Sequence, residues 1–472
     1  MISREELLRG MPPPATISPA DVRQARGNKA RQLIVLDDDP TGTQSVAELP
    51  VLNSWTAADL EWALATGAAA VYVMINSRSL DPEAAAVRNR EVVQAALAAA
   101  KNLGVEIDFV SRSDSTLRGH FPLEPQIISE ELEAAGRSVD AVVIVPAFGD
   151  AGRITLYSVH YAGNAATGYV PVGETEFARD ATFGYRSSDL REWVEEKSGG
   201  RIAAKEVVAI TLDEIRAGAD AVAAKLLPLS GGRCVVVDII EESDLRALAM
   251  GLLQAQAAGK NFVFRVGPPF VRGMIGQDVH PPLTAEDVAT IRPAESAFGG
   301  LIVVGSHVDL TTRQLNALRE KQQPVEFEID VAKVLGDASE AHLAEVVSAV
   351  AAALAKGNVV VRTSRTLIRG KDGADSLRIA RAVSDAVVHV VRRVLDLAPP
   401  RFVIAKGGIT SSDVASRGLE IDRAMVRGPM LPGIVSLWEP IDGPARGIPY
   451  IVFAGNVGTE DSLAEVATKL SN

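Results

Sequence analysis

The sequence predicts an α/β protein of two Rossmann-like lobes, each built on a mainly parallel sheet. Short, continuous apolar runs alternate with longer Ala-rich stretches of helical spacing, the pattern of strands buried on both faces beneath covering helices. One apolar run after another also ends in a polar cluster, as expected where ligands bind beyond the carboxyl ends of parallel strands. At 472 residues the chain is long enough for two such domains, each with its own core.

The elements follow in order. Arg31 to Leu36 reads as a strand running into Asp37-Asp38-Asp39, and Ala70 to Ile75 as a strand running into Asn76-Ser77-Arg78. Pro82 to Leu103 has helical spacing. Val105 to Val110 leads into Ser111-Arg112-Ser113-Asp114, and Ala141 to Val145 into Pro146-Ala147-Phe148-Gly149. Val207 to Thr211, Arg233 to Ile240 and Phe262 to Gly267 add further strands. Gly276 to Ile291 is polar, carries Pro281-Pro282 and reads as a linker. A second set of strands follows at Gly300 to Gly305, Asn358 to Val361, Phe402 to Ala405 and Tyr450 to Ala454. The expected organisation is a peripheral arm over 1–30 with Pro12-Pro13-Pro14, a first domain over 31–285 and a second over 295–472, with a cleft between the lobes.

Composition narrows the function. The 48 basic and 60 acidic residues give a net charge of −12, and no basic run is interleaved with aromatics, so a duplex nucleic-acid binder is excluded. No apolar stretch approaches the ~20 residues of a spanning helix. Met1 to Gly10 mixes Glu and Arg without an apolar run, so a cytoplasmic protein is expected. The lone Cys234, in Cys234-Val235-Val236-Val237, rules out an intramolecular disulfide or a multi-cysteine metal site and reads as a core residue.

Three clusters could carry chemistry. Asp37-Asp38-Asp39-Pro40-Thr41-Gly42-Thr43-Gln44 places adjacent carboxylates at a strand end, where they repel unless cations or donors sit among them. A helix cap needs one carboxylate; a base for a substrate hydroxyl better explains three. Ser111 to His120 follows a strand with two Arg and several hydroxyls, which suits a polyhydroxylated carboxylate, and Arg78 adds a third cation nearby. In the second lobe Gly305-Ser306-His307, Lys406-Gly407-Gly408-Ile409-Thr410 and Gly455-Asn456-Val457-Gly458 leave strands through glycines that let backbone amides approach a phosphate. Gly428-Pro429 and Pro432-Gly433 are expected to add pocket walls. Neither a Walker P-loop nor a well-placed G-x-G-x-x-G is present.

Together, the Asp-Asp pair before Thr41-Gly42, then Ser113-Asp114-Ser115-Thr116-Leu117-Arg118-Gly119, then Gly407-Gly408 with Thr410-Ser411, and finally Gly455-Asn456-Val457-Gly458 resemble the four-carbon acid sugar kinase family. The resemblance runs from about residue 31 to the end of the chain, and Asp-Ser-Thr-Leu-Arg-Gly is its most specific part. It implies a sugar-acid domain followed by a nucleotide domain, with ATP and Mg²⁺ used to phosphorylate D-threonate, D-erythronate, 3-oxo-tetronates or 3-oxo-isoapionate. It also implies a catalytic Asp38 or Asp37, with Asp114 as second choice. Arg78, Arg112, Ser113, Ser115, Arg118 and Gly119 would hold substrate, the Arg side chains on its carboxylate. Ser306, Gly407, Gly408, Ile409, Thr410 and Gly455 would hold nucleotide, and no metal is assigned to protein ligands. Partners are then small molecules, neither nucleic acid nor membrane, with a homodimer left open. Arg112 stands where the family commonly has Lys, and His120 where it often has Asn. A dehydrogenase or aldolase of the same acids, or a two-lobed sensor, are the rival readings.

Overall fold

The computed structural model describes every residue except 28–29, 292–297, 366–370 and 372. The chain forms two compact units, residues 1–46 with 55–279, and residues 47–54 with 280–472.

The first unit has a seven-stranded, wholly parallel sheet. Its spatial order is Ala70–Met74, Gln32–Asp37, Ile107–Arg112, Phe262–Val266, Ala141–Val145, Arg233–Val237, Val208–Ile210. Continuous apolar runs suit it, because helices such as Pro82–Leu103 cover the sheet. That helix starts at Asp81, whose side chain accepts from the Ala84 amide, and stops at Gly104, where φ is +67°. From the central strand Gln32–Asp37 the chain pairs first on one side and then crosses to the other. Loops leaving such a switch point diverge and open a crevice. Cys234 is buried, and burial pushes its thiol up to about 11, as for an inert core residue.

A small antiparallel sheet, Arg153–Leu156, Val159–Asn164 and Gly168–Pro171, was not expected. Its Ile154, Leu156 and Tyr169 pack with Leu212 and Ile240, and Leu7, Leu8 and Met11 of the N-terminal segment close over them. Residues 1–26 are therefore part of the first unit rather than a peripheral arm; Val22 is fully buried.

The second unit has the order Val325–Ile329, Val359–Thr363, Leu301–Val304, Val403–Lys406, Tyr450–Phe453, Ile434–Pro440, Arg423–Leu431, Leu49–Leu52. The first five strands are parallel and the rest antiparallel. Two expectations are corrected here. The segment 47–54 leaves its sequence neighbours because Leu49–Leu52 pairs with Arg423–Val426. The polar stretch read as a linker is structured, because Leu283 donates to the Pro429 carbonyl at 2.8 Å and the helix Ala285–Ile291 buries Val288. The first unit thus ends at 279 rather than 285; the expected start of the second domain at 295 lies outside the described residues. Gly428-Pro429 lies in a strand beside a bulge and Pro432-Gly433 is the two-residue turn of the hairpin, so both serve the sheet. Among the described residues no helix is long and apolar enough to cross a membrane.

The pairing of Leu49–Leu52 can be tested by hydrogen exchange. Ala424→Asp should accelerate exchange of the Val51 and Leu52 amides together with those of the 434–440 strand, and leave Gln32–Asp37 slow. Coupled loss of protection at 32–37 instead would place residues 47–54 in the first unit's cooperative fold.

Candidate functional site

In the first unit the strand register puts Asp37 beside Met74 on one neighbour and Arg112 on the other. The residues just past these strand ends therefore meet at the switch point. Asp37 is fully buried and ion-paired with Arg112, whose Nη2 also donates to the Asp39 carbonyl at 2.9 Å. Gly42 lies so close that a Cβ there would overlap both the Asp37 carboxylate and the Arg112 guanidinium, which is why the loop needs glycine. Arg78 grips Asp38 with a fork, Nε to Oδ2 at 3.1 Å and Nη2 to Oδ1 at 2.6 Å. Its Nη1 reaches Asp39 Oδ2 at 3.2 Å.

These environments separate three adjacent carboxylates. Burial pushes Asp37 up to about 7, against the pull of Arg112 and with some help from Asp38. Burial also raises Asp38, with Arg78 and Arg112 opposing it. For Asp39 burial acts the same way, but Arg78, Arg112 and the Thr41 hydrogen bonds outweigh it and hold the group below the usual carboxylate range. Exposure sorts them too: the Asp37 and Asp38 side chains are 0% and 1% exposed, that of Asp39 24%.

The Ser113–Gly119 loop packs against the same place. Ser113 donates its amide to the Val266 carbonyl at 2.8 Å. Asp114 accepts from Thr116 and from Arg118 Nε, the latter at 2.6 Å. Burial would raise Asp114, but Arg78, Arg118 and these hydrogen bonds prevail and hold it at about 2. Gly119 has φ +122°, and a Cβ on it would lie 2.8 Å from Arg265 Nη2 and 3.0 Å from Asp38 Oδ2. The small sheet holds the loop from the other side. His160 Nε2 meets the Ser115 carbonyl at 2.7 Å, Thr155 Oγ1 meets His160 Nδ1 at 2.9 Å, and the Tyr185 hydroxyl donates to the Thr116 carbonyl at 2.7 Å. Burial drives His160 down to about 4, so its ring is neutral, with Nε2–H donating and Nδ1 accepting.

Several expectations change. Asp37 and Asp38 are sealed by their arginines, so the carboxylates with surface to meet a hydroxyl are Asp39 and Asp114. Arg112 is 4% exposed and Arg78 has three nitrogens on Asp38 and Asp39, so neither guanidinium is free for a substrate carboxylate. Ser113 and Ser115 are buried, Ser115 offering its carbonyl to His160. His120 is structural: its Nε2 meets the Ser77 and Leu80 carbonyls at 3.1 and 3.0 Å. Sequence reasoning missed His160 and Tyr185, which no local motif links to residues 115–116.

In the second unit the three glycine loops converge on Ser306. A Cβ on Gly407, whose φ is +126°, would lie 3.3 Å from the Ser306 Cβ and 3.2 Å from Thr410 Oγ1. One on Gly455 would lie 2.5 Å from Ser306 Oγ, and one on Gly305 would overlap Thr410 Oγ1, whereas Gly408 faces open space. Thr311 donates to the Gly455 carbonyl at 2.9 Å, and Gln314 donates to the Val457 and Thr459 carbonyls at 3.0 and 2.8 Å. Gly305, Ile409 and Thr410 line a cavity of ≈ 350 Å³ whose walls include Val331, Ile379, Val383 and Val387, with Asp413 at its edge. The structure thus brings the expected residues around Ser306 together. Sequence reasoning missed Arg365, which donates to the Ser306 carbonyl and, at 2.7 Å, to Thr312, and gave no role of its own to Lys406, which is fully buried beneath the loops. Lys406 Nζ donates to the Ala454 carbonyl at 2.7 Å and lies 3.8 Å from the centre of the Phe453 ring; burial lowers it to about 7.

Residues 33–274 match a family model described as a sugar-binding N-terminal domain, and residues 301–463 one described as a nucleotide-binding C-terminal domain. The chain is 26% identical over 366 residues to the curated D-threonate kinase of Salmonella typhimurium, covering 75% of this chain and 78% of that one. Among solved structures it resembles a protein of Salmonella typhimurium LT2 with TM-score 0.68 and 18% identity, covering 92% of this chain and 98% of that one. The Haemophilus influenzae protein HI1011 aligns with TM-score 0.63 and 20% identity, covering 92% of this chain and 99% of that one. Both likenesses concern the fold.

The buried neutral His160 makes stability depend on pH. Unfolded, a histidine takes a proton below about 6.5, whereas folded His160 resists until about 4. The unfolded state therefore binds more protons across this window, and stability falls as pH drops, by on the order of 3 kcal/mol at the acid end. His160→Gln should flatten the slope of thermal midpoint against pH between 6.5 and 4; an unchanged slope would contradict the buried neutral ring.

Proposed function

This chain belongs to the four-carbon acid sugar kinase family, and on that premise we propose that it transfers the γ-phosphoryl group of ATP to a hydroxyl of a four-carbon acid sugar or its 3-oxo form. The observation that carries the reading is the Ser306 cradle. Side chains are absent where the Gly305, Gly407 and Gly455 loops close on it, and the first two of these loops border an apolar cavity large enough for a nucleobase. A sensor gives no reason for the glycine loops, and against a dehydrogenase stands the lack of a well-placed G-x-G-x-x-G.

Phosphoryl transfer of this kind is catalysed mainly by positioning and charge neutralisation. In the first unit Asp39, with Asp114 as its neighbour across Arg78, orients the attacking hydroxyl and takes its proton. Its low basicity suits a loose transition state, in which the hydroxyl gives up its proton late. Asp38 keeps Arg78 in place. In the second unit the glycine loops hold the phosphates, Arg365 adds positive charge beside Ser306, and the apolar cavity takes the base. Among the described residues no group of three His, Cys, Asp or Glu is placed to hold a metal by itself. Mg²⁺ would come with the nucleotide's phosphates, and Asp413, on the cavity wall, would be the carboxylate at hand for it. When bound, the ion neutralises the charge of the β- and γ-phosphates.

The direct test is ADP release with Mg²⁺ across D- and L-threonate, D- and L-erythronate, their 3-oxo forms and 3-oxo-isoapionate. Substrate-dependent release with one of them is expected, and none with any would overturn the reading. Asp39→Asn should lower kcat by at least about 10²-fold with KM for ATP little changed. Asp38→Asn should instead lower stability, by about 3–5 kcal/mol, because it leaves Arg78 buried without its main partner.

The pH profile separates the candidate bases. A base must be unprotonated, so activity falls as pH drops through its pKa. With Asp39 the acid limb lies below the ordinary carboxylate range; with Asp37 it would lie near 7. A limb near 7 would return the role to Asp37.

A further inference from the structure

Around the Ser113–Gly119 loop the protein neutralises its arginines one by one. Arg112 pairs with Asp37, Arg78 with Asp38 and Asp39, and Arg265 with Glu124. Arg118 holds Asp114 at 2.6 Å and has Asp180 at 3.6 Å. Arg153 is the exception: among the described residues it makes no ion pair. Its Nη1 donates to the Ala151 carbonyl, and its Nε, like that of the ion-paired Arg112, is buried without a hydrogen-bond partner.

Arg153 is also held firmly near the loop. It opens the strand Arg153–Leu156, whose Thr155 hydrogen-bonds His160, which in turn holds the Ser115 carbonyl. Its guanidinium carbon lies 5.5 Å from the centre of the Phe177 ring, and that of Arg118 lies 5.4 Å from the same ring. Two cations therefore share one aromatic ring, and only one of them has carboxylate partners. Burial lowers the Arg153 pKa; Asp114 opposes that and Arg118 reinforces it, as expected of a cation short of negative charge. Arg153 and Phe177 line a cavity of ≈ 880 Å³ with Arg4, Asn164 and Tyr169; it also carries the carboxylates of Glu176 and of Asp150, the latter held by Arg272 at 3.2 Å. Gly152 and Gly163 form part of its wall; a Cβ on Gly152 would run into the Gly163 carbonyl, so glycine lets the turn before Arg153 pack directly on the neighbouring strand, where the Gly163 amide donates to the Gly152 carbonyl at 2.9 Å.

We propose that Arg153, assisted by Arg118 across the Phe177 ring, is the seat of the substrate's carboxylate and so the residue that selects acid sugars over neutral ones. The proposal rests on the acid-sugar reading above and names a residue for it. A carboxylate has the one charge the seat lacks and matches the fork of a guanidinium with two parallel hydrogen bonds.

The test is calorimetric binding to the full chain without nucleotide, using D-threonate and D-erythronate and the neutral amide of each. The wild-type protein should prefer an acid to its amide. Arg153→Gln should lose about 10- to 100-fold in affinity for the acid and little for the amide, so that the preference collapses. Arg153→Lys, which restores charge without the fork and guards against a folding defect, should recover part of it. A wild type that binds neither acid or shows no preference, a glutamine variant that binds acid as before, or equal losses for acid and amide would each overturn the proposal. Turnover is read separately. Acid binding that depends on Arg153 without any ADP release would defeat the kinase reading and leave the seat standing. ADP release with an unchanged KM for the acid in Arg153→Gln would do the reverse.

Discussion

Carboxylates and guanidiniums buried together at the ends of parallel strands govern the first unit. Asp37 with Arg112, Asp38 with Arg78 and Glu124 with Arg265 are each nearly or fully enclosed. Taking such ions out of water costs several kcal/mol each, so the pairs are a poor way to stabilise a fold; apolar residues of similar volume would often do as well. Their local consequences are geometric. Gly42 must be glycine because Asp37 and Arg112 occupy the space of its Cβ, and Gly119 is pressed between Arg265 and Asp38. The lattice therefore sets the path of both loops that carry the chemistry. It leaves Asp39 and Asp114 as partly exposed carboxylates with fixed charge, which is the preorganisation a positioning catalyst requires.

The second unit solves a related problem with almost no charge. Its strand ends approach one another through Gly305, Gly407 and Gly455 around a single serine; the hydrogen bonds of Thr311 and Gln314 tie the Gly455 loop down, with ion pairs Arg313–Glu460 and Lys321–Asp461 at the surface beyond it. Charge does enter beneath, at Lys406, whose ammonium has a carbonyl and an aromatic face for company and no carboxylate. Burial brings its pKa down to about 7, so an anion brought close would favour its charged form. The two units thus differ in kind, one with carboxylates fixed against arginines, the other with glycine-lined backbone around Ser306, Arg365 beside it and Lys406 buried beneath.

Much of this was legible in the sequence, for identifiable reasons. The central strands were readable because a strand covered on both faces must be apolar throughout, as in Ala141–Val145 or Phe402–Ala405. Several strands of the second unit were not. Val325–Ile329 is half exposed and carries two glutamates, Leu49–Leu52 is short and contains a proline, and the 423–440 hairpin is broken up by Arg423, Arg427, Gly428 and Pro429. The acidic and glycine clusters were equally plain, because crowding of one residue type survives in a one-dimensional reading. Which carboxylate faces outward was not plain, since it depends on where Arg78 and Arg112 arrive from other strands. His160 was invisible for the same reason, as it meets Ser115 across the fold, and Arg153 because its lack of an ion pair among the described residues is a property of the folded chain.

The difference between a paired and an unpaired arginine decides which of them can serve a substrate. For Arg112 or Arg78 to seat a carboxylate, it would have to release a buried carboxylate of the protein, at a cost of about 3–5 kcal/mol. The incoming carboxylate would return about 1.5–3 kcal/mol in charged hydrogen bonds, so the exchange runs uphill. Arg118 has Asp114 to lose. Arg153 has no such partner among the described residues, so an arriving carboxylate displaces none of the protein's own; its Nε, like that of Arg112, is buried without a hydrogen bond. Several arginines crowd this loop in sequence and in space, and among the described residues it is the ion pairs that divide those that build the site from Arg153, which has none.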